Sequence, residues 1–173
     1  MEEQITPGQV GKKYGLIYAL VSTVVNLIPI LMDNANPSVG FLFNFINVVL
    51  AFLFFILAGR EFKKLNGGYM TFGEAFKINM IAASIMAVFR SGMTYLYVKV
   101  IDSSYSERVM NVMEDMWEAQ GMTEEQIEQA RGFGSLFVSP EAMLFMGILG
   151  AIIGGLVWGA ISGAITKNEE DEF

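Results

Sequence analysis

Apolar residues in this chain are gathered into long unbroken blocks instead of alternating with polar ones. Gly15 to Met32, Val39 to Gly59 and Ala142 to Thr166 hold no charged side chain across 18, 21 and 25 residues, and about 20 residues carry a helix across the hydrocarbon of a bilayer. A fourth block, Ile78 to Val98, is 21 residues long and is broken only by Arg90. The pattern predicts an all-α polytopic membrane protein with four transmembrane helices, over about 15–32, 39–59, 72–100 and 142–166, in a single domain covering 1–173. The third starts ahead of its apolar block because Thr71 and Glu74 form a capping box, each side chain satisfying the other residue's backbone amide.

The segment 102–141 between the third and fourth spans reads as a short amphipathic, extracytoplasmic pair of helices. Ser104 with Glu107 caps the first, Gly121 ends it, and Thr123 with Gln126 caps the second. Val109, Val112, Met113, Met116 and Trp117 share one face of the first helix at helical spacing. That face needs a cover, which the membrane, the outer ends of the bundle or another protein would supply. The acidic tail, 168–173, is expected to be disordered.

Charge gives the topology. Lys12, Lys13, Arg60, Lys63, Lys64, Lys77 and Lys167 fall on one side of the four spans, and only Lys99, Arg108 and Arg131 on the other. The excess of lysine and arginine on the first side places both termini of this multi-pass protein in the cytoplasm. The lysines between the second and third spans are expected to touch anionic lipid heads weakly. The first span follows two lysines as a signal peptide would, but the chain opens "MEEQ" and the apolar run is long, so it is expected to stay attached.

The sequence has neither cysteine nor histidine, which removes disulfides, thiolate metal sites and the commonest general base. Nine acids between Asp102 and Glu141 stand against two bases, yet their spacing matches no EF-hand and reads as a solvated face. The glycine-rich "GLVWGAISGA" lacks the lysine of a phosphate-binding loop. No metal, no cofactor and no nucleic-acid partner is expected. With no paired acid and base, neither is enzymatic activity.

Arg90 is the residue that asks for an explanation. At about 100° per residue it shares a face with Asn79, Ala83, Met86, Ala87, Thr94 and Tyr97, while Ile81, Ile85, Val88 and Leu96 lie opposite. The small and polar side is expected to face the bundle and the aliphatic side the lipid. The other spans carry similar stripes: Gly15, Ala19, Ser22, Thr23, Asn26 and Asp33; Gly40, Asn44, Asn47, Ala51 and Ala58; Gly147, Ala151, Gly155, Gly159 and Gly163. From the outer boundaries Arg90 and Asn47 lie about 12 Å deep, Asn26 about 9 Å and Asn44 about 7.5 Å. Pro29 also frees the carbonyl of Val25.

These positions predict an outward-opening polar pocket of Arg90, Asn26, Asn44, Asn47, Thr94, Tyr97 and, at its rim, Asp33. Two uses stay open. The arginine is either an internal clamp on asparagine carbonyls and Asp33 or the site for an anion such as a lipid phosphate or a small carboxylate. Gly147, Gly150, Gly154, Gly155, Gly159 and Gly163 in the fourth span form small-xxx-small steps for close helix packing, against helix 3 or a second copy.

"KKYGLIYAL", "MTFGEAFKINM", "YLYVKVID", "GMTEEQIEQAR" and "GGLVWGAISGAITKNEE" follow one another along the chain. In this order the sequence resembles a family of small bacterial inner-membrane proteins classed only as a domain of unknown function. The resemblance implies a four-span membrane fold and brings no activity, ligand or catalytic residue. The expected role is a non-enzymatic accessory or scaffolding subunit of a membrane complex, or a homo-oligomer, surrounded by membrane lipids. The alternative is a carrier or binding protein for a small anion or lipid through the Arg90 pocket.

Overall fold

A computed structural model of the chain describes residues 5–32, 34 and 36–168. Six α-helices follow in order: α1 Pro7–Leu31, α2 Pro37–Leu65, α3 Phe72–Leu96, α4 Tyr105–Ala119, α5 Glu124–Val138 and α6 Pro140–Thr166. α1, α2, α3 and α6 are each long and apolar enough to cross a membrane, so the protein has the four-span, all-helical architecture that the apolar blocks predict. The helices overrun those blocks by several residues, because turns carrying Lys13 and Glu61 continue them into the polar zone.

Local chemistry fixes the helix ends. Thr6, Thr71 and Thr123 each accept from the third amide of α1, α3 and α5, and Gln9, Glu74 and Gln126 return the bond to the cap residue. α4 ends at Gly121, whose φ of +81° suits a residue without a Cβ. There the amides of Gly121 and Met122 donate to the carbonyls of Glu118 and Trp117, the double closure of a left-handed helix end. Ser104 departs from expectation and caps nothing with its side chain. Its hydroxyl donates to Asp102 at 3.0 Å and accepts from Arg108 at 2.5 Å, so the ion pair takes the oxygen that a cap would need.

The spanning helices form a ring in the order α1, α3, α6, α2, with α2 and α3 across one diagonal in slight contact and α1 and α6 across the other in still less. Two glycines bring α1 onto α3: a Cβ at Gly11 would stand 2.9 Å from Ile81 Cβ, and one at Gly15 2.9 Å from Ala82 Cα. Ile81 and Ile85 thus lie on α1 and not on lipid as their stripe predicts, because α3 is flanked on two sides. Val88 and Leu96 are exposed. On the opposite flank a Cβ at Gly155 would stand 2.6 Å from Ala83 Cβ, and Asn79 Nδ2 donates to Gly159 O at 3.0 Å and Ser162 Oγ at 2.8 Å. In hydrocarbon such close approach and buried bonding replace the missing aqueous driving force.

Tyr18, Ala19, Ala51, Phe55, Ala82, Ala83 and Met86 fill the bundle centre, and Val10, Ala58, Phe62, Met70, Ala75 and Ile78 its basic end. Leu20, Val24, Phe45, Val88, Leu149 and Ile153 point outward, a surface suited to acyl chains. At the basic end Met70 and Asn168 exchange backbone bonds of 2.8 Å in both directions. Asn168 is therefore held, contrary to its inclusion in a disordered tail; the remainder of that tail, 169–173, lies outside the described residues.

At the acidic end α4 and α5 cover each other. Met110 and Trp117 press on Gly134, with a Cβ there 3.2 Å from Met110 Cε. Met110 is the buried residue of α4, one position away from the expected face of Val109, Val112, Met113, Met116 and Trp117. Arg131 pairs with Glu114 across the hairpin at 2.7 Å. Lys99, in the π-helical turn Tyr97–Ile101, pairs with Glu141 at the start of α6.

Candidate functional site

A half-open cavity of about 330 Å³ lies between α2, α3 and α6, with Tyr18 of α1 reaching its wall. Its polar end is made by Arg90 of α3 with Asn44 and Asn47 of α2; Ala51, Phe55, Ala83, Met86 and Trp158 line the remainder. The separation of ends follows from helix phase. Asn44, Asn47, Ala51 and Phe55 recur at helical spacing, as do Ala83, Met86 and Arg90, so one face of each helix runs from polar to apolar toward the basic end.

Of the two asparagines, Asn47 is already committed. Ser22 Oγ donates to Asn47 Oδ1 at 2.7 Å, Asn47 Nδ2 donates to Phe43 O at 3.0 Å, and the Tyr18 hydroxyl donates to Asn47 O at 3.2 Å. Asn47 is thus a rigid wall tying α1 to α2, and no described residue hydrogen-bonds or ion-pairs with the Arg90 guanidinium. Arg90 stands six residues before the end of α3, about 9 Å along its axis. A charge costs from about 2.5 kcal/mol to more than 10 kcal/mol at the bilayer centre, and part of that at the depth of Arg90.

The expected pocket is divided in the structure. Arg90, Asn44 and Asn47 come together on the cavity. Asn26 and Thr94 meet elsewhere, Asn26 Nδ2 donating to Thr94 Oγ1 at 2.9 Å and Thr94 Oγ1 to the Arg90 carbonyl at 3.0 Å. They lock α1 to the last turns of α3 and do not line the cavity. Tyr97 begins the π-helical turn, where its carbonyl accepts from the Asp102 amide at 2.9 Å, and its ring is not in the cavity wall. Asp33 lies outside the described residues.

The glycines divide as well. Gly155, Gly159 and Gly163 pack on α3, and Gly147 meets Ser91. Gly150 borders the cavity with nothing within 4 Å of its would-be Cβ, and Gly154 borders it with only Trp158 Cδ1 at 4.0 Å. Tyr18, Phe55 and Trp158 enter the wall without having been singled out. Tyr18 could have been, for it lies three residues after Gly15 and four before Ser22, on the same stripe. Trp158 follows Gly154 by one turn.

Just outside the spans Asp102 and Arg108 pair at 2.6 Å. Hydrogen bonding from that guanidinium holds the Asp102 carboxyl below the ordinary carboxylate range. Burial pushes the nearby Tyr105 hydroxyl up.

One cation, amide groups and an aromatic-lined apolar end can hold the head and tail of an amphiphilic anion. No curated protein and no solved structure matches this sequence. The family described as "Protein of unknown function (DUF4199)" matches residues 13–168, from the lysine that begins α1's polar turn to the asparagine that follows α6, and the chain belongs to that family.

Proposed function

We propose that the protein binds an anionic amphiphile of the membrane, its head on the Arg90 guanidinium and its apolar part against Phe55, Met86 and Trp158. The carrying observation is that Arg90 faces a mostly apolar cavity while the neighbouring Asn47 oxygen is taken by Ser22. A charge at this depth gains most from an oxygen anion, because charge-assisted bonds strengthen where water is scarce. The role is that of a non-enzymatic binding protein or carrier. The asymmetry of lysine and arginine supports cytoplasmic termini with the Arg90 end of the cavity toward the outer face, and the family resemblance suggests a bacterial inner membrane as the setting.

Trp158 offers the readout. In a W117F background it is the remaining tryptophan, and a nitroxide-labelled fatty acid held in the cavity quenches it saturably. Arg90→Gln should weaken that binding about tenfold or more, the worth of a lost bond to a charged group. Quenching that is unsaturable, or equal in R90Q, contradicts the proposal.

A second reading, an accessory or scaffolding subunit or a homo-oligomer, is favoured by α5, where Phe133 and Leu136 are 73% and 66% exposed. Such a patch is a common mark of contact with a partner. Mass spectrometry of the gently extracted protein should then find stoichiometric subunits bound, and their loss in an F133S/L136S variant.

A further inference from the structure

We propose that a second groove, between the basic ends of α1 and α2, binds the phosphate of an anionic membrane lipid through Arg60 and Lys64. The groove is lined by Lys13, Tyr14, Leu57, Arg60, Glu61 and Lys64, with Leu65 at its edge. Among the described residues that line it, the one acid, Glu61, is neutralised within the protein. Both Glu61 oxygens accept from Lys13 Nζ at 2.8 Å, and Oε2 also accepts from the Tyr14 hydroxyl at 2.8 Å. Arg60 and Lys64 have no such partner among the described residues. They stand four residues apart on one exposed helix face, which leaves two positive charges side by side at the groove.

Depth and stripe select the ligand. Arg60 follows Pro37, the first residue of α2, by 23 positions, about 35 Å along the axis, against about 30 Å for a hydrocarbon core. Arg60 therefore reaches the level of the lipid phosphates. Leu53 and Leu57 precede it on the same face and are both exposed, so the stripe reads apolar within the bilayer and cationic at its edge. A phospholipid with its chain along the leucines and its phosphate between guanidinium and ammonium satisfies both halves. A guanidinium fork bonds two phosphate oxygens while the lysine adds a point charge. A phosphate without a chain would use the cations alone. This site is separate from the Arg90 cavity, which lies on the other side of α2.

The test uses the full chain carrying Arg90→Met, so that the cavity arginine contributes nothing, in native mass spectrometry with equal phosphatidylglycerol and phosphatidylcholine. Phosphatidylglycerol should be retained preferentially, and R60Q/K64Q should reduce that preference roughly tenfold, as expected for two basic side chains at an anionic headgroup. K12Q/K63Q, which removes two charges outside the groove, should leave it nearly unchanged, and circular dichroism should show all variants equally helical. The proposal is overturned if K12Q/K63Q costs as much as R60Q/K64Q, which would mean diffuse attraction. It is equally overturned if R90M alone erases the preference, or if excess inorganic phosphate displaces the lipid as readily as added phosphatidylglycerol does.

Discussion

Arg90 and Asp102 show how differently one chain treats two charges. Asp102 sits beyond the spans with a guanidinium against it, and its depressed pKa fixes the sign of its pH effect. The folded carboxyl stays ionised below the unfolded value of about 3.9, so its stabilisation is present above that pH and is lost as pH falls through the lower, folded value. An NMR titration should therefore find Asp102 titrating below the ordinary range, and Arg108→Gln should return it there. An Asp102 that titrates like a free aspartate in the wild-type protein contradicts the pairing. Arg90 has no carboxylate among its described neighbours, and its charge is left to face a cavity.

Between elements, the decisive contacts are small side chains. Gly155 faces Ala83 Cβ, which is fixed to its backbone and cannot rotate away. Gly155→Ala should cost about 1 to 3 kcal/mol through overpacking, while Gly150→Ala, with open space around it, should cost little. Denaturant unfolding in micelles measures the pair, and equal costs would contradict the α3–α6 contact. Asn79→Ala should lose about 0.6 to 2 kcal/mol, the worth of interhelical bonds in a bilayer, because Nδ2 bonds both Gly159 O and Ser162 Oγ. The four spans, the capping boxes at Thr71 and Thr123 and the glycine end at Gly121 were legible because each is local, decided by residues within one or two turns. The environment of Ile81 and Ile85 was not, since an amphipathic stripe predicts one buried face and α3 has two. Ser104 misled for a related reason: the cap motif was present, but Arg108 and Asp102 competed for its oxygen.

For the molecule as a whole, the ring of spans places one basic and one acidic end on opposite sides of an apolar belt, and puts Arg90 on the diagonal between α2 and α3. Sequence periodicity put Arg90, Asn44 and Asn47 in one layer, about 7.5 to 12 Å deep, but depth alone could not separate them from Asn26 and Thr94. Which asparagine shares a cavity with the arginine depends on helix order around the ring, and no spacing within a single helix encodes that. On the proposed function, Arg90 holds a ligand and does not clamp the fold. The direct test is chemical unfolding of wild-type and Arg90→Met protein in a mild detergent, each with and without oleate as the amphiphilic anion. The wild type should gain about 2 to 3 kcal/mol at a hundredfold excess over its dissociation constant. R90M should be at least as stable as the wild type without oleate, having lost a buried charge and no described partner, and should gain nothing with it. An R90M protein that loses several kcal/mol with no oleate present, or that gains as much from oleate as the wild type does, would contradict the claim.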